Sequence, residues 1–288
     1  MGARAEVCTT LCTVEGHPPI LRNSPLRIVA VELRFPEAFF EDGDLKAVKR
    51  ALDEHYPVPG TEHGLAIEVG PQGLRSQQSS QRQIYRSRDG SHQIGLTSTA
   101  LALEAHGGAQ YEGFEHFLER WLFALDSVKP IAEITTQLRL GMRYVNQLQV
   151  EDATIGVAAL VDRINPALLS PYGADGFDSE IAMSFEQLRL RDEHGKATLR
   201  HGLQAVAGHA LPGQVVLGQA VAGEESSPLG VYVLDIDYYD DELADFDRDR
   251  HIEQLKLFNL QVWKIFRWSL TEDEYQRMGP EERDDSSR

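Results

Sequence analysis

Two aspartates in an acidic stretch are the residues whose spacing most directly suggests chemistry. The segment VYVLDIDYYDDELADFDRDRH, residues 231–251, contains eight carboxylates, and Asp235 and Asp237 alternate with apolar residues as on a β-strand. Their side chains would share one face of that strand, about 6 to 7 Å apart. Such a pair can hold one or two divalent cations for phosphate chemistry, although a third carboxylate and a phosphate-binding loop are not evident.

A structural interpretation accounts for the same acidic residues. Asp235 and Asp237 would then lie on the solvated face of their strand, and the acids between residues 245 and 249 would cap the following helix and favour its positive end. We favour this interpretation, and a metal site at Asp235 and Asp237 is the alternative.

Arginines form a second group of residues whose spacing suggests a binding role. Arg82, Arg86 and Arg88 share parity along one predicted strand, and Arg139 and Arg143 share the polar face of another. If these strands were neighbours, they would form a basic face able to bind an anion, RNA or an acidic peptide. The simpler alternative is that each arginine pairs with a nearby acidic side chain on the solvent-exposed face of its strand.

Familiar catalytic signatures are missing from the sequence. It contains no P-loop, no dinucleotide-binding glycine pattern, no G-x-S-x-G elbow and no H-E-x-x-H motif. Cys8 and Cys12 supply only two of the four ligands that a structural zinc site needs, so we interpret them as reduced thiols. We therefore expect no cofactor and no catalytic residues of these classes.

The charge distribution argues against nucleic acid as a partner. The net charge is −17, and residues 151–288 hold 13 basic and 27 acidic side chains. Phosphate binding relies on Lys and Arg, so this half would repel nucleic acid, whereas it could favour solubility or a basic partner. No apolar run has the length of a membrane helix, and the N-terminus lacks a signal-peptide core, so we expect a cytoplasmic protein without membrane contact.

Hydrophobic periodicity predicts an α+β fold. Strands alternate at residues 29–35 and 134–150, a further strand is predicted at residues 181–192, and Asp89-Gly90 marks a hairpin between two alternating runs. Long helices follow runs of strands; Asp42 or Asp44 is available to cap the first helix, and Thr271 with Glu274 forms a capping box for the last one. Residue Asn146 is the polar side chain on the apolar face of its strand, where we expect it to form structural hydrogen bonds. The pattern favours a curved antiparallel sheet with long helices on one face.

The same pattern predicts the domain organisation. Flexible tails would occupy residues 1–20 and 281–288, and a connector at 151–180 would join α+β halves at 21–150 and 181–280. One interpretation is that the two β-rich halves are a degenerate structural repeat, although no residue-level similarity is visible.

The last long helix is apolar over a wide arc. Its predicted core face leaves Leu257, Leu260, Trp263 and Trp268 largely outside. A helix of this kind is either covered on two sides or offers part of its surface to a partner. These four residues are therefore a candidate interface with a protein partner or with a second copy of the chain.

Three short motifs resemble a family of sporadically distributed bacterial proteins that has no assigned activity. They are an early N-x-P-[IL] strand at residues 23–35, an R-Y-[IV]-N motif at residues 143–146 and an L-D-I-D motif at residues 234–237. The resemblance covers about residues 21 to 279. Its patchy distribution implies an accessory role, such as defence, toxin–antitoxin or mobile-element function.

The sequence leads us to expect a non-enzymatic, cytosolic binding or regulatory protein that acts through protein–protein contacts. Two alternatives are open: a metal-dependent enzyme of phosphate chemistry that uses Asp235 and Asp237, and a small-ligand binder with a cavity between sheet and helix.

Overall fold

A nine-stranded antiparallel sheet organises the computed structural model, which describes residues 18–70, 73–107, 111–150, 158–169, 184–205 and 230–281. The strand order across the sheet is β3-β4-β5-β6-β2-β8-β11-β10-β9, and β1–β13 and β7–β12 form two-stranded pairs beside it. The strands are β1 (Ile20–Leu21), β2 (Leu26–Arg34), β3 (Val58–Gly70), β4 (Gly73–Arg86), β5 (His92–Leu96), β6 (Ala100–His106), β7 (Thr136–Gln137), β8 (Arg139–Val150), β9 (Glu186–Arg191), β10 (Lys196–Ala205), β11 (Gly230–Asp240), β12 (Ala244–Asp245) and β13 (Pro280–Glu281).

The long helices pack on one face of this sheet. Helix α4 lies on β8 and β11, α2 lies on β6, and α1 packs against α2. The helices are α1 (Asp42–Leu52), α2 (Phe114–Val128), α3 (Ala158–Val161), α4 (Arg248–Trp268) and α5 (Glu272–Arg277). The predicted α+β class, with an antiparallel sheet and helices, is confirmed.

Period-two alternation places the core between the sheet and the helices. In β11, Tyr232, Leu234 and Ile236 are fully buried on the helix side, as the sequence pattern predicts. Trp121 of α2 and Phe258 of α4 are fully buried against this layer. Burial of these large apolar side chains drives the helices onto one face.

Strands from both predicted halves belong to one sheet. Strand β8 lies between β2 and β11, and each of the two pairings is antiparallel along most of the strand. The two-stranded pair β1–β13 further joins residues near both ends of the chain. Residues 1–17 and 282–288, which include both cysteines and most of the predicted tails, lie outside the described residues.

Local signals identify several turns and caps. The Asp89-Gly90 hairpin joins β4 to β5, with Gly90 at φ 71°, a conformation that favours glycine. Thr271 caps α5 by accepting a hydrogen bond from the Glu274 amide, as the S/T-x-x-E motif predicts. Asp247 is the N-cap of α4, where its side chain accepts from the Arg250 amide.

Two local predictions need correction. The N-cap of α1 is Glu41 rather than Asp42 or Asp44, and the Asp44 carboxylate accepts from the Glu41 amide at 2.9 Å. The alternating run after Asp89-Gly90, which the sequence pattern counts as one strand, forms the two strands β5 and β6. The Thr97 hydroxyl accepts from the Thr99 amide and supports the turn between them, which the alternation alone does not reveal.

In the described parts of the chain, no helix has both the length and the apolarity that crossing a membrane requires.

Candidate functional site

The face of the sheet opposite to the helices carries most of the predicted site residues, and we call it the open face. Cross-strand register brings Arg143 opposite Asp237, and Asp237 opposite Thr198, in one row across β8, β11 and β10. The open face is defined by the charged side chains of Glu32, Arg34, Arg82, Arg86, Glu104, Arg139, Arg143, Arg189, Arg200, Asp235 and Asp237.

Asp235 and Asp237 are both engaged by arginines of the neighbouring strand. Arg143 binds Asp235 through two hydrogen bonds of 2.7 and 2.8 Å, and Arg139 binds Asp237 through two of 2.8 and 2.9 Å. Arg200 adds a contact of 3.3 Å to Asp235 from the other side. Arg143 uses Nε and Nη2 for separate oxygens of Asp235, which is the strong bidentate form of charge-assisted hydrogen bond, whereas Arg139 uses Nη2 alone for both oxygens of Asp237.

Electrostatics favour the charged form of Arg143. Burial works against its charge, but the hydrogen bonds and attraction to Asp235, with a further contribution from Asp237, outweigh burial and raise the pKa of Arg143. A divalent cation at Asp235 and Asp237 would have to displace the guanidinium groups of Arg139 and Arg143 and the weaker contact of Arg200. Among the described residues, no group of three or more His, Cys, Asp or Glu is arranged to hold a metal. The metal site stays a prediction.

The other predicted arginines lie on the far side of the open face. Arg82 binds Glu104 at 2.6 Å, and Arg86 binds Glu62 at 2.8 Å. Arg88 lies beyond the end of β4 and is exposed, away from this row of contacts. The structure therefore brings Arg82, Arg86, Arg139 and Arg143 onto one face, separated by β5, β6 and β2 and interleaved with acids.

Two glycines leave room for arginine side chains to lie flat on the sheet. A Cβ at Gly95 would come within 2.0 Å of the Arg82 guanidinium, and one at Gly141 within 2.5 Å of the Arg139 guanidinium. Glycine at these two positions thus allows Arg82 and Arg139 to reach their carboxylates. Sequence reasoning did not identify these glycines, because their role depends on side chains that cross them in three dimensions.

Replacing Gly141 with alanine is expected to push Arg139 away from Asp237 and to lower the free energy of unfolding by about 1 to 2 kcal/mol. Urea denaturation measures this change. Gly43→Ala is the matched control, because a Cβ at Gly43 meets nothing within 4 Å and alanine suits helix α1. Equal stability of the two variants would contradict the role assigned to Gly141.

A groove of about 610 Å³ crosses the open face beside edge strand β9. Its lining includes Arg139, Arg189, Thr198, Arg200 and Asp237, together with Arg34 of β2 and Glu37. Unlike Arg139 and Arg143, the side chains of Arg189 and Arg191 have no carboxylate within 4 Å among the described residues. Both side chains are exposed, and Glu186, Asp192 and Glu193 flank them along the chain.

Strand β9 is also an edge with exposed apolar side chains. It pairs with β10 on one side and is the last strand in the order of the described sheet. Leu188 and Leu190 alternate with the arginines and are 37% and 42% exposed. An edge strand of this kind has backbone N–H and C=O groups available for another strand. Sequence reasoning predicted the strand but not its position at the edge.

The predicted interface residues of α4 lie in different environments. Leu257 and Leu260 are half-buried, and Trp263 packs against Phe266 and Tyr275 with ring centroids 5.7 and 6.1 Å away. Trp268 is exposed, at 41%. The wide apolar arc of α4 is therefore covered in part by α5, and the interface at these residues stays a prediction.

A cavity of about 180 Å³ lies between α4, β8 and the N-terminal residues of the described chain. Its lining is mainly apolar but includes Tyr111, Tyr144, Asn146 and Asn259. Asn146 is 4% exposed on the helix side of β8, where the sequence pattern predicts it, and its Nδ2 donates to the Leu234 carbonyl at 3.4 Å.

Comparisons with protein-family models and with curated proteins find no match for the chain. The family resemblance inferred from the three motifs accordingly stays a prediction.

Proposed function

We propose that the protein is a non-enzymatic binding protein that accepts an extended, acidic segment of a protein partner along edge strand β9. One observation carries this proposal: β9 is the edge strand of the described sheet, and the same strand presents Arg189 and Arg191, which lack a carboxylate partner among the described residues. Backbone hydrogen bonds to such an edge supply affinity, and alternate side chains supply specificity.

The row of charges across the sheet supports an acidic partner strand. Arg143, Asp237, Thr198 and Arg189 lie opposite one another on successive strands β8, β11, β10 and β9. A strand added beyond β9 would place its side chain opposite Arg189. Opposite charges in such cross-strand positions are favourable, so glutamate or aspartate fits there.

The leucines define the other face of the partner segment. Leu188 lies opposite Leu199, which is fully buried on the helix side of the sheet. Apolar residues at alternate positions of the partner would cover Leu188 and Leu190 and remove their exposed surface from water. The expected segment therefore alternates acidic and β-branched residues.

A second copy of the chain fits this edge less well. If β9 paired with itself, Arg189 and Arg191 of both copies would lie on one face at close range. Like charges across neighbouring strands are unfavourable. Nucleic acid fits less well too, since the chain carries a net charge of −17.

The test is binding of a fluorescein-labelled nine-residue peptide of alternating Glu and Val, followed by fluorescence anisotropy. The double variant Arg189→Glu/Arg191→Glu is expected to weaken binding by at least about tenfold, because charge complementarity is reversed. Lys46→Glu/Arg50→Glu on exposed positions of α1 changes the net charge equally and should bind as the wild type does. Binding should also weaken with added salt.

Three results would overturn the proposal. The first is equal affinity of the two double variants for the peptide. The second is equal binding of a Lys/Val peptide by the wild type. The third is a dimer of the wild type in analytical ultracentrifugation that Arg189→Glu/Arg191→Glu abolishes, which would assign the edge to a second copy.

A further inference from the structure

The cavity between α4 and β8 has the features of a small-molecule site separate from β9. Apolar side chains form most of its wall, including Leu26 of β2 and Val262 and Phe266 of α4. Its volume of about 180 Å³ exceeds the roughly 150 Å³ of an engineered apolar cavity that holds benzene. The space therefore suits a single ring with a small substituent.

Two buried asparagines give this apolar space a polar edge. Asn146 and Asn259 line the cavity and are 4% and 9% exposed. The Tyr144 hydroxyl donates to Asn259 Oδ1 at 2.8 Å, and the Tyr111 and Tyr144 hydroxyls are 3.1 Å apart. Since Tyr144 uses its hydrogen on Asn259, Tyr111 is the donor between the two hydroxyls.

Both asparagines keep hydrogen-bonding capacity that the described residues do not use. In the described chain, Asn259 Nδ2 has no acceptor and Asn146 Oδ1 has no donor, while Asn146 Nδ2 makes only its 3.4 Å contact. Neither atom is among the fully buried polar atoms that lack a partner, so each can bind water in the free protein and exchange that water for a ligand group. The cavity therefore contains one donor, Asn259 Nδ2, and one acceptor, Asn146 Oδ1. A complementary ligand has one hydrogen-bond acceptor and one donor.

The charge of the cavity sets the charge of the ligand. Among the described lining residues, Glu112 is the one that is charged at neutral pH; its side chain is 60% exposed and lies 3.7 Å from Arg120. Within the parts of the chain that the structure describes, no arginine or lysine lines the space to neutralise an anion. Burying an unpaired charge is far more costly than burying a neutral polar group. The site therefore selects a neutral molecule.

We propose that this cavity binds a neutral, single-ring compound with an amide-like edge, whose carbonyl accepts from Asn259 and whose N–H donates to Asn146. Residues Ile20 and Leu21 line the cavity on the side of the chain's N-terminus. They are held there by β13, and the Arg22 and Asn23 amides donate to the carbonyls of Gly279 and Met278. Ligand binding therefore stabilises the junction of both chain ends.

The probe for this proposal is benzamide, which has one ring and one neutral carboxamide. Isothermal calorimetry with the full chain should give one site with a Kd in the millimolar range or tighter, as expected for a ligand of this size. Benzamide should also raise the melting temperature. Toluene, which lacks the amide, and benzoate, which is charged, should each bind at least about tenfold more weakly.

Two variants locate the binding. Asn259→Leu should weaken benzamide binding by about tenfold, the factor expected for one hydrogen bond. Val262→Phe, which fills the cavity with a larger apolar side chain, should abolish binding while the circular dichroism spectrum and a cooperative melting transition show that the fold is kept. Lys256→Ala, on the exposed side of α4, should bind as the wild type does.

Any one of the following results would overturn the proposal: no saturable binding of benzamide, equal affinity for benzamide and toluene, or full binding by a folded Val262→Phe variant. These outcomes are independent of peptide binding at β9, because Arg189 and Arg191 do not line the cavity.

Discussion

Replacing Arg143 with methionine is expected to lower the free energy of unfolding by about 2 to 3 kcal/mol. Asp235 is only 5% exposed, and Arg143 supplies both of its shortest contacts. Without this arginine, the one ion pair that the described residues would still give this carboxylate is the 3.3 Å contact to Arg200. Removal of one partner is costly because the remaining buried charge is poorly compensated.

Urea denaturation of single and double variants measures this effect. Arg143→Met/Asp235→Leu removes both charges, so it should recover much of the lost stability, since apolar replacement of a buried pair is often nearly neutral. Arg248→Met is the control: its partner is Asp126, and both side chains are about half exposed, so little change is expected. If Arg143→Met were as stable as this control, Asp235 would not depend on Arg143.

Acidification from pH 6.5 to about pH 4 is expected to remove about 3 kcal/mol of stability through His251 alone. Burial, followed by the charge of Arg248, lowers the pKa of His251 from 6.5 to about 4. The Trp121 indole N–H donates to His251 Nε2 at 2.9 Å, which requires that nitrogen to be unprotonated. Below pH 6.5 the unfolded chain binds a proton that the folded chain excludes, so stability falls as pH falls.

This pH dependence is measured from urea midpoints of the wild type and His251→Gln between pH 4 and 7. Glutamine does not titrate and can still accept from Trp121, so its stability should vary less over this range. His92 and His201 also have lowered pKa values through burial, and they contribute equally to both curves. His116→Gln, at an exposed position, should reproduce the wild-type curve, and a wild-type slope in His251→Gln would contradict the assignment.

Much of the local structure follows from neighbouring residues in the sequence. Alternation in β2, β8 and β11 predicts which side chains face the helices, because a strand turns successive residues to opposite faces. For the same reason Asp235 and Asp237 lie outward and Asn146 lies inward. The Asp89-Gly90 hairpin and the Thr271 cap depend on contacts within a few residues, so their signals are short and readable.

Sequence signals are less specific where several neighbouring residues could supply the hydroxyl or carboxylate that caps a helix or supports a turn. The sequence offers Asp42 and Asp44 as caps of α1, whereas the N-cap is Glu41 because Asp44 reaches back to its amide. The break between β5 and β6 depends on the Thr97 hydroxyl in a run that otherwise alternates. Such competition among polar residues explains the two local errors.

By itself, the sequence determined the α+β class, the faces of the central strands and the outward direction of Asp235, Asp237, Arg139 and Arg143. Only the tertiary structure decided that these aspartates pair with these arginines, that β9 is an edge, and that α4 and residues near the N-terminus enclose a cavity with Asn146 and Asn259. Each of these features joins residues that are far apart in the chain. Strand order and register create such contacts, and neither is encoded in the period of a single strand.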